Sequence, residues 1–267
     1  MFSPLTLLTL ATTLPLVSAN ALEQPQYIFS NPSASSETTQ RIPTSYESAV
    51  LARRILHLTG IGTLATVFPT TSQSVNEEEG KDGQRINENR PEGLGGVPIG
   101  LMDYIADCEP STGNPTILEI SIATSFKNVR AGSNISLALT WVPPHTSSST
   151  YYSAANLPRF SLLGYLEPIP ASSSSSSSVS KKDDLAKCFV DAHPDARYWL
   201  PGNRIHHSEW VRLVVTQVYW IGGFGDRAYI GWIPVEEWKN VTMEEVEGVR
   251  LPGEKEVKKG WFSEWEL

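Results

Sequence analysis

Apolar positions along the chain recur with two different periods, and the change from one to the other marks its elements. Ala49, Ala52, Ile55 and Leu56 repeat at helical spacing, so a helix with one buried side is predicted from Thr44 to Leu58. Thr44-x-x-Glu47 is a capping box for its start, and Gly60 stands where helices commonly end on a left-handed glycine. Short β-branched and aromatic runs then predict strands at Thr63 to Phe68, Gly95 to Asp107, Ile117 to Ala123, Ile135 to Val142 and Phe160 to Ile169. Thr124 to Ala131 reads as a short helical turn between two of them. Leu185, Phe189 and Ala192 return to helical spacing, with Ser180 or Asp183 as N-cap. His193-Pro194 ends that helix, because proline lacks a donor and restricts the residue before it. From Trp210 to Ile221 the chain is almost continuously apolar, which predicts a strand buried on both faces. Gly222-Gly223-Phe224-Gly225 supplies a corner suited to positive φ, and Ala228 to Ile233 returns as a strand closed by Pro234.

About six strands broken by helices suit a mainly β fold, a closed or split β-barrel with flanking helices. Periodicity alone fits an open α+β sheet equally well.

The segments outside this pattern set the organisation. Leu5 to Leu16 is apolar and is followed by Val17-Ser18-Ala19, which predicts a signal peptide over residues 1–19. Residues 20–43, rich in Ser, Thr, Pro and Gln, read as a flexible arm. A domain is expected over 44–240, with polar insertions at 70–94 and 171–182, the second built on a serine run that reads as a loop. Residues 241–267 form a mixed-charge tail whose aromatics, Trp261, Phe262 and Trp265, are expected to dock on the barrel, the alternative being that they help form a dimer.

Composition narrows the function. Hydrophobic residues make up 40% of the 267, enough for a real core. The formal charge of −8 lacks the basic patch that a nucleic-acid surface needs, so no nucleic-acid partner is expected. No stretch after the leader is a membrane-span candidate, and no membrane partner is expected. Asn134-Ile135-Ser136 and Asn240-Val241-Thr242 are glycosylation sequons, which together with the leader predict a secreted or endomembrane-lumenal glycoprotein. Cys108 and Cys188 are the only cysteines. An oxidising compartment favours a disulfide between them, and two buried free thiols are the alternative. His207 and Glu209 would share one side of a strand, but no third metal ligand stands at suitable spacing and no metal site is expected. No G-x-S-x-G elbow supports a hydrolase.

The run from His193-Pro194 through Trp199, the aromatic strand, Gly222-Gly223-Phe224-Gly225 and Pro234-x-Glu236-Glu237 resembles the CREG-like secreted glycoproteins. These belong to the FMN-binding split-barrel, or pyridoxamine phosphate oxidase-like, superfamily. Ala52-Arg53-Arg54-Ile55-Leu56 with Gly62-Thr63-Leu64-Ala65-Thr66, Gly96-Val97-Pro98 and Ser125-Phe126-Lys127-Asn128-Val129 extend the likeness over roughly 45–238. The resemblance implies a split barrel and a homodimer, and it places a flavin phosphate site on the segment from Thr124. There Thr124, Ser125, Lys127 and Arg130 are the candidate FMN-phosphate contacts, the alternative being a solvated turn. Flavin-binding relatives carry a basic or imidazole side chain three residues before the Asn that Asn128 matches, and this chain has Ser125. Related bacterial haem-degrading barrels share the glycine corner, but their functional histidine has no match here. No tightly bound cofactor is therefore expected, with FMN the candidate if one is held. The expected role is non-catalytic binding of an unknown protein or small-molecule ligand, or signalling. The alternative is an FMN-dependent oxidoreductase.

Overall fold

The computed structural model describes residues 41–70, 90–144, 153–170, 176–225 and 227–254, without the side chains of 176–183. The expected signal peptide, most of the expected arm, much of the first insertion and the last thirteen residues lie outside the described residues. Helix α1 (Ser45–Leu58) starts on the predicted capping box, in which Thr44 and Glu47 exchange side-chain and backbone hydrogen bonds. Its Ala49, Ala52, Ile55 and Leu56 are fully buried. Gly60 does not cap it: Thr59 closes the helix in extended conformation. Gly60 makes room instead, since a Cβ there would sit 2.8 Å from Cε1 of His193.

Among the described residues seven strands make up the sheet: β1 (Ile61–Val67), β2 (Pro98–Ala106), β3 (Thr116–Ile120), β4 (Ile135–Thr140), β5 (Arg159–Pro168), β6 (Ser208–Ile221) and β7 (Ile230–Ile233). All pairings are antiparallel in the order β3-β2-β1-β4-β5-β6-β7, and β3 also pairs with β6. That second pairing closes six strands into a barrel, with β7 added beside the far half of β6. The seam between β2 and β3 holds only at Ile105↔Ile117 and Ala106↔Thr116, so the barrel is split there. Helix α2 (Thr124–Arg130) packs against β1, with Phe126 in the core and the Asn128 amide donating to Thr66 Oγ1 at 3.0 Å.

Leu64, Leu137, Leu162, Val218 and Trp220 form the interior with the apolar side of α1. A β-bulge at Leu163/Gly164 lets β5 bend, and only glycine fits: a Cβ at Gly164 would lie 1.9 Å from Val214 O. Strand β6 departs from its predicted burial on both faces. Val211, Leu213, Val215, Val218 and Trp220 are buried, while Thr216 and Gln217 are exposed. The continuous apolar run reflects two different covers: the barrel interior for most of the strand, and a helix outside it for Trp210.

That helix, α3 (Ser176–Ala192), begins inside the serine run expected to be a loop. The apolar pattern gives no sign of helices α4 (Val235–Asn240) and α5 (Met243–Gly248). Through them Trp238, Val241 and Val246, together with Leu251 beyond, join the core, so the segment read as a tail belongs to the fold as far as 254. Buried Arg53 ties α1 to this part: Nη1 donates to Trp238 O at 3.2 Å, Nη2 donates to Pro110 O, and the guanidinium lies over the Trp238 ring.

Candidate functional site

The sequence places its candidate phosphate contacts on α2, and in the structure they differ in burial and in partners. Ser125 is buried and Thr124 is the first helical residue. Arg130 is committed elsewhere, with Nη1 donating to Glu119 Oε1 at 2.5 Å and Nη2 donating to the Ser121 carbonyl. Burial holds the Glu119 carboxyl above its ordinary value, and the charge of Glu209 adds to this while Arg130 and His207 oppose it. Lys127 is half-buried, and its side chain makes no hydrogen bond or ion pair among the described residues.

His207 Nε2 and Glu209 Oε1 stand 3.5 Å apart on the surface, and no group of three metal-ligating side chains occurs among the described residues. In the glycine corner, Gly223 takes the predicted positive φ, at +145°. Asn134 and Asn240 are both exposed, the first just before β4 and the second at the end of α4. Cys108 and Cys188 are joined in a disulfide that bridges the segment after β2 to α3.

A second feature carries no sequence signal, because its residues come from separate segments with no common motif. An open groove of about 730 Å³ lies on the outside of the barrel, lined by Leu58 and Ile61 at the α1–β1 turn, Met102 of β2, Ala138 of β4, and Val142 and Pro144 beyond it. Met102 is 79% exposed and Val142 70%, which is unusual for large apolar side chains grouped together. One wall is ionic. Arg54 binds Glu254 through both nitrogens of its fork, Nε at 3.3 Å, and the two side chains are only 8% and 10% exposed. Burial pushes the Glu254 carboxyl up, but hydrogen bonds from Arg54 and the Leu251 N–H, with the charges of Arg54 and Arg250, hold it below its ordinary value. Trp141 Nε1 donates to Pro252 O at 2.8 Å and pins the same segment.

The sequence pattern of the family described as "CREG, beta-barrel" matches residues 43–240. No curated protein matches the chain. Among solved structures the chain is similar to a haem-binding protein from Mycobacterium smegmatis, at 20% identity and TM-score 0.46, covering 74% of this chain and 61% of that one. It is also similar to ChuZ from Campylobacter jejuni, at 10% identity and TM-score 0.42, covering 74% and 66%. A third is an FAD-binding protein from Mesorhizobium loti, at 16% identity and TM-score 0.36, covering 64% and 91%.

Proposed function

This chain belongs to the CREG β-barrel family, and we propose that it is a secreted, N-glycosylated member that acts by binding or signalling and not by flavin chemistry. The observation that carries the proposal is Arg130, whose guanidinium is taken up by Glu119 and the Ser121 carbonyl. With Ser125 buried, Lys127 is left as the one cation of the candidate set without a protein partner among the described residues. A phosphate lacking one charge-assisted hydrogen bond forfeits about 1.5–3 kcal/mol. At about 1.4 kcal/mol per tenfold, binding weakens by roughly one to two orders of magnitude. The residues present do not fit a tightly held flavin.

Secretion is supported by the leader-like Leu5 to Ala19, the two exposed sequon asparagines and a disulfide of the kind an oxidising compartment preserves. The destination is extracellular or an endomembrane lumen. A homodimer is part of the same reading, and one aromatic patch supports it. Trp210 and Trp220 are buried within the single chain, whereas Trp232 is 54% exposed and packs edge-on against Tyr219 at 5.0 Å, near exposed Phe224 and Ile230. Aromatic rings left half in water in this way are characteristic of interfaces.

The purified secreted protein tests these points together. It is expected to be colourless and to bind added FMN weakly, with the residual affinity lost in Lys127→Ala. A yellow protein holding stoichiometric FMN would instead establish the alternative, an FMN-dependent oxidoreductase. Peptide-N-glycosidase is expected to increase gel mobility, and Asn134→Gln with Asn240→Gln to abolish that change. Light scattering should give twice the chain mass, falling to the chain mass in Trp232→Asp; a monomer at every concentration would remove the dimer.

A further inference from the structure

We infer that the groove between α1, β1 and β4 is the docking site of the chain's own C-terminal segment, 255–267, through Trp261, Phe262 and Trp265. Three observations converge on this occupant. The groove is apolar and open, with Met102 and Val142 the most exposed of its large side chains. Its ionic wall includes Glu254, the residue directly before the segment, so the segment begins at the groove itself. That departure point is fixed from two sides, by Arg54 on the Glu254 carboxylate and by Trp141 on the Pro252 carbonyl.

Beyond Glu254 the chain reads Lys255-Glu256-Val257-Lys258-Lys259-Gly260-Trp261-Phe262-Ser263-Glu264-Trp265-Glu266-Leu267. A spacer from Lys255 to Gly260, charged apart from Val257 and the glycine, thus precedes three large aromatics. An extended chain covers at most about 3.3–3.6 Å per residue, so Trp261 reaches no farther than about 25 Å from Glu254. Every part of a groove that Glu254 itself lines is within that reach. The volume of about 730 Å³ falls in the range of about 300–1,000 Å³ that encloses a drug-sized ligand, comparable to two or three aromatic side chains.

The same chemistry could be offered by the tail of a second copy, and the tether decides against it. A short linker holds its ligand at an effective concentration of about millimolar. A neighbouring molecule present at micromolar concentration competes at roughly a thousandfold disadvantage. Docking in cis also hides aromatic surface that would otherwise stay in water. The groove is then occupied by the chain itself, and any small molecule that enters it must displace this segment.

A photo-cross-linking benzophenone residue in place of Met102, in the full chain, tests the inference. Met102 is exposed, so the replacement leaves the core intact. Peptide mass spectrometry of an equal mixture of light and ¹⁵N-labelled protein should find the cross-link to the peptide holding Trp261 to Trp265, within single chains only. The link should fall several-fold in Val142→Asp and in the variant with Trp261, Phe262 and Trp265 all changed to Ser. Mixed light–heavy links as abundant as chance pairing predicts would assign the groove to a second copy and overturn docking in cis. Absence of any link to that peptide, with the benzophenone captured by other sites, would overturn it as well. Trp232→Asp should leave the link unchanged, which separates this result from the dimer.

Discussion

Inside the barrel, Leu64, Leu137, Leu162 and Val218 are enclosed on every side by strands and by α1, and Trp238 and Val246 join them from α4 and α5. Outside it, Ala106, Leu118, Phe189, Ala196 and Trp210 form a second, smaller cluster, covered by α3 and the 3-10 turn at Pro194–Tyr198. The two are held differently. The interior needs no covalent help, because six strands curled around it, with α1 against them, bury apolar side chains from all directions. The outer cluster has one layer of cover, and specific ties hold that layer down. The disulfide joins α3 to the end of β2. His193 Nε2 donates to the Ile105 carbonyl at 2.8 Å, and its ring stacks on Tyr104 at 4.2 Å. Tyr104 in turn donates to Asp195 at 2.8 Å. A thin apolar layer gains fewer contacts per residue, so bonds and polar contacts make up the difference.

The largest effect should come from the interior. Trp238 is fully buried and covers the Arg53 guanidinium. Trp238→Ala removes a large core side chain, which typically costs about 3–5 kcal/mol. Against a total of about 5–15 kcal/mol for an ordinary domain, that is a large share. The urea midpoint should fall steeply, with tryptophan emission and far-UV dichroism still changing together. A loss below about 1 kcal/mol, far under the usual core value, would mean that α4 is peripheral and not part of the core.

Removing the disulfide should produce a different pattern. Cys108→Ser with Cys188→Ser opens a loop of sequence separation 80, and losing a bridge of this kind costs about 2–4 kcal/mol. The expected loss is local: amides of α3 from Asp184 to Ala192 exchange hydrogen quickly, while those of β4 and β5 keep their protection. Equal loss in both regions would show one cooperative unit and dissolve the contrast between the clusters.

The same contrast explains what the sequence could convey. The strands enclosing the interior are legible because closure stamps their β-branched and apolar runs onto the chain, and α1 is legible from Thr44-x-x-Glu47. The identical signal at Thr242-x-x-Glu245 builds α5 by the same reciprocal bonds, yet it stands in a charged stretch that masks its single buried face, Val246. Pro234 ends β7 and also precedes α4, whose first turn carries Glu236 and Glu237, so one proline serves as stop and start. The outer cluster is less legible. Leu118, Trp210 and Phe189 come from three distant segments, and only the fold brings Cys108 beside Cys188. The candidate site is least legible of all: Arg130 reads as a free cation until Glu119 is seen beside it, and the groove has no motif.

The smallest effect lies beneath the outer cluster. Leu118 of β3 is paired with Trp210 of β6, and the next pair in register is Glu119 opposite Glu209. Like charges directly opposite on paired strands repel, and Arg130 offsets only part of the cost. Burial, with Glu209, holds the Glu119 carboxyl above its ordinary value, so the folded protein binds this proton more tightly than the unfolded chain does. Stability from that proton is fully present below the ordinary glutamate value of 4.5 and is lost as pH rises through the higher folded value. Asp103 is shifted the same way by burial, but it is common to both proteins and cancels in a comparison. Glu119→Gln keeps the shape, removes the titration and sacrifices a partly exposed ion pair worth about 0–1 kcal/mol. Urea midpoints measured from about pH 4.5 to 7.5 should therefore decline less steeply with rising pH in the variant than in the unaltered protein. Parallel curves would mean that Arg130 neutralises Glu119 completely, and the strand pair beneath the outer cluster would then carry no electrostatic cost.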